Sequence, residues 1–228
     1  MAQIARQGAT IARVKNPTAP KLPIGFRAAE MPRDDLEEDA IIRGARYDGT
    51  SFAGRQAEAL EAEGCRFESV RFTGTALRQC QFSDSVFETC DFAQLTTQDV
   101  SLIRCKVTGS RITGASWKSG TFRDVRIEGC QSSPAMYQRM KLYSVAFVDC
   151  KMLGADFQFS EMHNVRFVNC DLTGAQFANA KMGVVRFENC TLVDVGGAAS
   201  LKGATVQGPG SFELALSLAR EAGILFEP

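Results

Sequence analysis

From Phe67 to Leu192 a large apolar side chain returns at every fifth residue. The series runs Phe67, Phe72, Leu77, Phe82, Phe87, Phe92, Leu102, Val107, Ile112, Trp117, Phe122 and Ile127, and resumes from Tyr137 through Phe147, Phe157, Phe167, Phe177 and Phe187; Thr97 and Ser132 interrupt it. Two positions earlier in each five stands a small residue, as at Cys65, Val70, Thr75, Cys80, Ser85 and Cys90, with Leu95 and Met140 the long side chains in this lane. Neither a helical period of 3.6 nor a strand period of 2 produces this spacing. Five residues forming one short side of a square coil do, with the large and small residues inward and one outward residue between them. Four such sides close a coil of 20, so residues 20 apart should stack. Cys90, Cys130, Cys150, Cys170 and Cys190 fall in one stack interrupted by Ser110, Val125 to Val185 in a second, and Ala115 to Ala175 in a third. A five-residue rule does not require this second rule, and the two together predict an all-β, four-sided solenoid.

The same phase reaches back to Ile42, Tyr47 and Phe52, so the solenoid is expected over residues 40–207.

 Tyr47 and Phe52 hold the large lane there, with Ala40, Ala45 and Thr50 in the small one. Between Gly54 and Gly64 the lanes carry only Ala57 and Ala62 as large-lane residues, which suits either an underfilled coil or a short excursion of the right length. Glycines at 74, 109, 114, 129, 154 and 174, asparagines at 169, 179 and 189, and Pro134 share one corner position, where unusual dihedrals are expected. Residues 1–39 lie outside the repeat and form an N-terminal extension or cap. Within them Asn16 to Pro23 reads as extended linker, and Pro32 to Asp39 has a proline and acids suited to a first helical turn. The phase slips by one residue at Gly196-Gly197 and resumes with Leu201 and Val206. Residues 208–228 predict a helix, with Ser211 as N-cap and Leu214, Leu218 and Ala222 on one face, followed by an apolar tail. Phe212, Leu216, Ile224, Leu225 and Phe226 exceed what one coil end can hide, so this end is expected to be both cap and homodimer seam.

The 26 basic and 26 acidic residues cancel, and residues 40–195 hold 18 and 17 of them, so no chain-wide basic footprint for nucleic acid exists. All eight cysteines sit in the inward small lane, where they are expected to be free, buried thiols rather than a disulfide frame or a metal site. Residues 4–14, beside Arg6, lack the apolar core of a leader, and no 18-residue apolar run is present, so a cytoplasmic location without membrane insertion is expected. No catalytic residue, metal ligand or cofactor site is expected, because a filled coil has no internal pocket and the single histidine, His163, points outward. Arg66, Lys106, Arg126, Arg166 and Arg186 form one outward column and Glu68, Glu88, Glu128 and Glu188 another, either a solvated ion-pair lattice or a partner-binding face. Tyr143, Leu153 and Phe159 are candidate contact residues by phase.

The fives Ala155–Phe159, Asp171–Ala175, Cys150–Gly154 and Val185–Asn189 resemble the pentapeptide repeat family, which implies a right-handed quadrilateral β-helix. Phe147–Gly154 and the ending Ser211–Glu227 are similar to topoisomerase-protection members of the quinolone- and albicidin-resistance type. That resemblance implies a non-catalytic protein that binds DNA gyrase or topoisomerase IV and prevents a poison from trapping cleaved DNA, in part through a rod that imitates DNA. Asp91, Asp156 and Asp171 are the candidate acidic contacts. The alternative is a protein-binding scaffold or immunity protein with an unrelated partner.

Overall fold

The five-residue step closes into four flat sides per turn, and each residue pairs in parallel with the residue 20 places later. Phe67 pairs with Phe87, Lys106 with Arg126 and Trp117 with Tyr137. This computed structural model describes residues 14–226; residues 1–13, which hold most of the segment weighed as a leader, and Glu227 and Pro228 at the other end, lie outside the described residues. The shaft is a right-handed quadrilateral β-helix. Each side is named here by one of its inward residues. On the Phe82 and Phe67 sides the chain runs through a shared corner as continuous strands, Ser101–Thr108, Thr121–Glu128, Lys141–Val148 and Glu161–Val168. The Leu77 side forms a separate five-stranded sheet, and the Phe72 side is joined by single bridges such as Asp91 to Arg111.

From Asp39 to Asp194 each corner residue takes a positive φ, except Pro134 and Val184. The proline ring and the β-branched valine both disfavour that region. Asp84, Asn169 and even Phe159 adopt it, at φ 48, 52 and 60. The run between Gly54 and Gly64 is an ordinary coil, with strands Gln56–Glu58 and Glu61–Glu63 and with Ala57, Leu60 and Ala62 buried. The slip near Gly196 shortens one turn to 19 residues, so Phe187 pairs with Val206.

Inside, the large lane makes columns of rings. Tyr47, Phe67 and Phe87 stack at 4.8 and 4.7 Å, and Phe147, Phe167 and Phe187 at 5.0 and 4.9 Å. The eight cysteines are free and buried. Their thiols donate to carbonyl oxygens of the coil, as from Cys90 Sγ to Phe67 O at 3.4 Å, and burial pushes Cys90 and Cys105 up to about 12. Of the two breaks in the large lane, Ser132 is satisfied by the Tyr137 hydroxyl at 2.8 Å, whereas Thr97 Oγ1 is buried without a partner. An apolar void of about 20 Å³ lies nearby, lined by residues that include Leu77, Leu95 and Trp117. Thr97→Val keeps the shape and removes the unpaired hydroxyl, so it should stabilise the shaft by about 1 kcal/mol in urea unfolding followed by Trp117 fluorescence.

The first coil is covered by residues 27–36. Arg27–Ala28 adds a short parallel strand beside Ala45–Asp48, and Leu36 enters the core. Pro32 to Asp39 makes turns and no helix. Its acid, Asp34, is turned instead toward Arg27, which it binds through both oxygens, and it accepts the Glu30 N–H at 2.8 Å. The Arg27 guanidinium holds the Asp34 carboxyl below the usual carboxylate range. A depressed carboxyl contributes stability above its unfolded pKa, near 3.9, and loses it as pH falls through the lower folded value. Hydrogen exchange at the Glu30 amide should therefore accelerate below about pH 4, while amides of the central coils keep their protection.

Candidate interaction surfaces

A solenoid shaft offers its outward residues in columns, and the charged columns on the Phe67 side brace each other. Arg46 reaches Glu68 at 2.8 Å, Arg66 reaches Glu88 at 2.6 Å, Lys106 reaches Glu128 at 3.5 Å and Arg166 reaches Glu188 at 3.1 Å, each one coil up on the diagonal. Arg126 and Arg186 pair within their own coils with Glu128 and Glu188, at 3.0 and 3.1 Å. Such partly exposed pairs contribute about 0–1 kcal/mol each, so their main effect is to neutralise this face.

The three candidate acids are also engaged. Asp91 binds Arg111 at 2.7 and 3.0 Å and accepts from the Ala93 N–H and the Thr73 hydroxyl, both at 3.0 Å. Burial pushes its carboxyl up, and these partners outweigh burial to leave it below the ordinary range. Asp156 accepts from Gln138 Nε2 and the Gln158 N–H, and Asp171 from the Thr173 N–H and hydroxyl. Asp91 and Asp171 stand in a column with Arg71, Arg111 and Lys151 on the Phe72 side, and Asp156 lies on the Leu77 side. No acidic column results.

Tyr143, Leu153 and Phe159 are likewise not brought together. Tyr143 is half-buried on the Phe82 side beneath Arg123, 5.7 Å from the ring centroid. Leu153 is exposed on the opposite, Phe72 side. Phe159 is exposed at the corner after the Leu77 side, with the Arg139 guanidinium 5.4 Å from its ring centroid. His163 is exposed beside Tyr143, and among the described residues no three or more His, Cys, Asp or Glu side chains form a metal-binding group.

The C-terminal end presents a larger apolar surface. Its helix spans Gly210–Glu221, with Pro209 rather than Ser211 at the cap position. The inward face is Gly210, Leu214 and Ser217, and Leu218 is exposed, so the expected face of Leu214, Leu218 and Ala222 is rotated. Close approach at Gly210 explains the rotation, since a Cβ there would stand 2.4 Å from Cys190 O. The rotation also turns two acids onto the last coil, where no further coil exists to accept its N–H groups. Glu213 accepts the Leu192 N–H at 2.5 Å, and Glu221 accepts those of Ala198 and Ala199 at 2.8 and 3.1 Å. Their roles depend on this contact, and their only sequence signal is two acids eight residues apart on one helix. Outward stand Phe212, 71% exposed, and Ile224, Leu225 and Phe226, of which Leu225 is 92% exposed; Leu216 is half-buried.

These features define a class, a parallel β-solenoid of 20-residue coils closed at both ends and smooth along its shaft. Residues 121–196 match the family model described as the pentapeptide repeat region. That segment thus carries the pentapeptide repeat, and the same parallel coil continues on both sides of it. No curated protein sequence matches the chain. Among solved structures, a trypsin-treated form of QnrB1, a plasmid-mediated fluoroquinolone resistance protein, aligns at 16% identity over 83% of this chain and 99% of its own, with a TM-score of 0.47. HetL, a pentapeptide repeat protein involved in heterocyst differentiation regulation in the cyanobacterium Nostoc, aligns at 12% identity over 75% of this chain and 87% of its own, with a TM-score of 0.43.

Proposed function

We propose that this protein is a non-catalytic, protein-binding rod of the cytoplasm that pairs with a second copy through its C-terminal end. The carrying observation is that the end is already capped: Leu214, Glu213 and Glu221 serve the last coil, and Phe212, Ile224, Leu225 and Phe226 remain outside it. Apolar surface of this kind, rimmed by polar residues, suits a protein partner. For the target of the assembled rod we propose DNA gyrase or topoisomerase IV, shielded from a poison that traps cleaved DNA. This part is supported by the resemblance of Phe147–Gly154 and of the C-terminal ending to topoisomerase-protection proteins.

The neutral, cross-braced shaft favours a second reading, a scaffold or immunity protein with another partner. Purified gyrase supercoiling and drug-stabilised cleavage, measured with and without the folded protein, separate the two. Restored supercoiling together with loss of the trapped cleavage complex is the expected result for topoisomerase protection, acting by contacts other than an acidic column. No effect on either reaction would overturn that target and leave the scaffold reading.

A further inference from the structure

The N-terminal segment runs back along the shaft, in the corner between the Phe82 and Phe67 sides, with a regular spacing. The Lys15 N–H donates to Asn164 Oδ1 at 2.7 Å, the Thr18 N–H to Asp124 Oδ1 at 2.9 Å and the Lys21 N–H to Asp84 Oδ1 at 2.9 Å. Donors advance by three residues while acceptors retreat by 40, which is two coils. Three residues of polyproline II rise about 9.3 Å, and two strand spacings span about 9.5 Å. The two periods therefore match. Pro17, Pro20 and Pro23 recur at the same step, where no N–H is required. Burial follows it too: Val14 is buried and the three prolines are half-buried, while Lys15, Asn16, Thr18, Ala19, Lys21 and Leu22 are exposed.

The acceptors are held from the shaft itself. On the coil between Asp84 and Asp124, Arg104 binds both oxygens of Asp84 at 2.7 and 2.6 Å. On the coil between Asp124 and Asn164, Ser144 Oγ accepts from Asn164 Nδ2 at 2.8 Å, and Asn164 Nδ2 also donates to Lys15 O at 3.2 Å. Acceptors on alternate coils are a period of 40 laid over the shaft's period of 20. Val14 stands outside the hydrophobic cluster, so the shaft's core closes without the segment above it.

We propose that this corner is a recognition groove for polyproline II segments, with residues 14–23 as its resident ligand. The partner it fits is a protein carrying prolines at every third residue, each followed by a residue with a free N–H, and lysines to complement Asp84 and Asp124. A tethered ligand competes at about millimolar effective concentration, so the partner binds by displacing the segment. The groove is separate from the C-terminal end, and its test does not involve a topoisomerase.

The test uses the full chain with Pro17→Gly, Pro20→Gly and Pro23→Gly, which removes the segment's preset conformation and leaves the shaft intact. Exchange at the Lys15, Thr18 and Lys21 amides should rise by about tenfold or more, with shaft amides unchanged. A peptide with the sequence of residues 14–24, added to about 2 mM, should then shift the resonances of Asp84, Asp124 and Asn164 saturably. Adding Asp124→Ala should weaken that binding about tenfold, and a peptide with one glycine inserted before its second proline should not bind. Unchanged amide protection in the glycine variant, no shift at the three acceptors, or equal binding by the inserted peptide would each overturn the proposal.

Discussion

Phe157→Ala should lower the stability of the shaft by about 3–5 kcal/mol. Phe157 is fully buried and stacks between Tyr137 and Phe177, at 5.0 and 5.3 Å, while the rings of Phe147 and Phe167 meet it edge-on at 5.9 and 5.6 Å. Truncation removes the ring's burial and leaves a cavity that the coils above and below, fixed by their ladder bonds, cannot fill. The neighbouring small lane gives the opposite test, because Ala155 is also fully buried and Ala155→Leu should overpack its stack by about 1–3 kcal/mol. Urea unfolding followed through Trp117 measures both. Near-normal stability in the two variants would contradict the inward placement of both lanes.

Loss of the end cap should be the next largest effect. Glu213→Ala with Glu221→Ala leaves the N–H groups of Leu192, Ala198 and Ala199 without their acceptors. At this partly exposed end each bond contributes about 0.5–1.5 kcal/mol, so with three lost the last coil should lose about 1.5–4.5 kcal/mol of local protection. Hydrogen exchange would show this as fast amides from Leu192 to Leu201, with the coils below Cys170 unchanged. If exchange at those amides stayed slow, the helix would be held by its apolar contacts, and the two glutamates would have no capping role.

Much of the shaft was legible because its signals repeat. Phe67 and Phe87, or Cys150 and Cys170, lie one period apart, and stacking them requires no knowledge of any distant segment. The diagonal ion pairs follow from the same register, as does the shortened turn at Gly196-Gly197. What escaped the sequence depends on single contacts between parts far apart in the chain. The helix face turns on Gly210 meeting Cys190 O, and the acids at 91, 156 and 171 are engaged by neighbours that a charge count does not rank. The step of three in Pro17, Pro20 and Pro23 was visible as an extended segment, but its acceptors lie up to 149 residues away. Tyr143, Leu153 and Phe159 are all outward by phase, but the ten residues between Tyr143 and Leu153 are half a coil, so the same register sets those two on opposite sides.

The claim on which the functional account rests is that the C-terminal end, and not the shaft, joins this protein to a second copy. Sedimentation equilibrium of the full chain across a range of concentrations tests it directly, beside a variant carrying Leu225→Asp and Phe226→Asp. The account predicts a dimer for the natural chain and a monomer for the variant, with unchanged unfolding of the shaft in both. A natural chain that sediments as a monomer throughout, or a variant that remains a dimer, would contradict it.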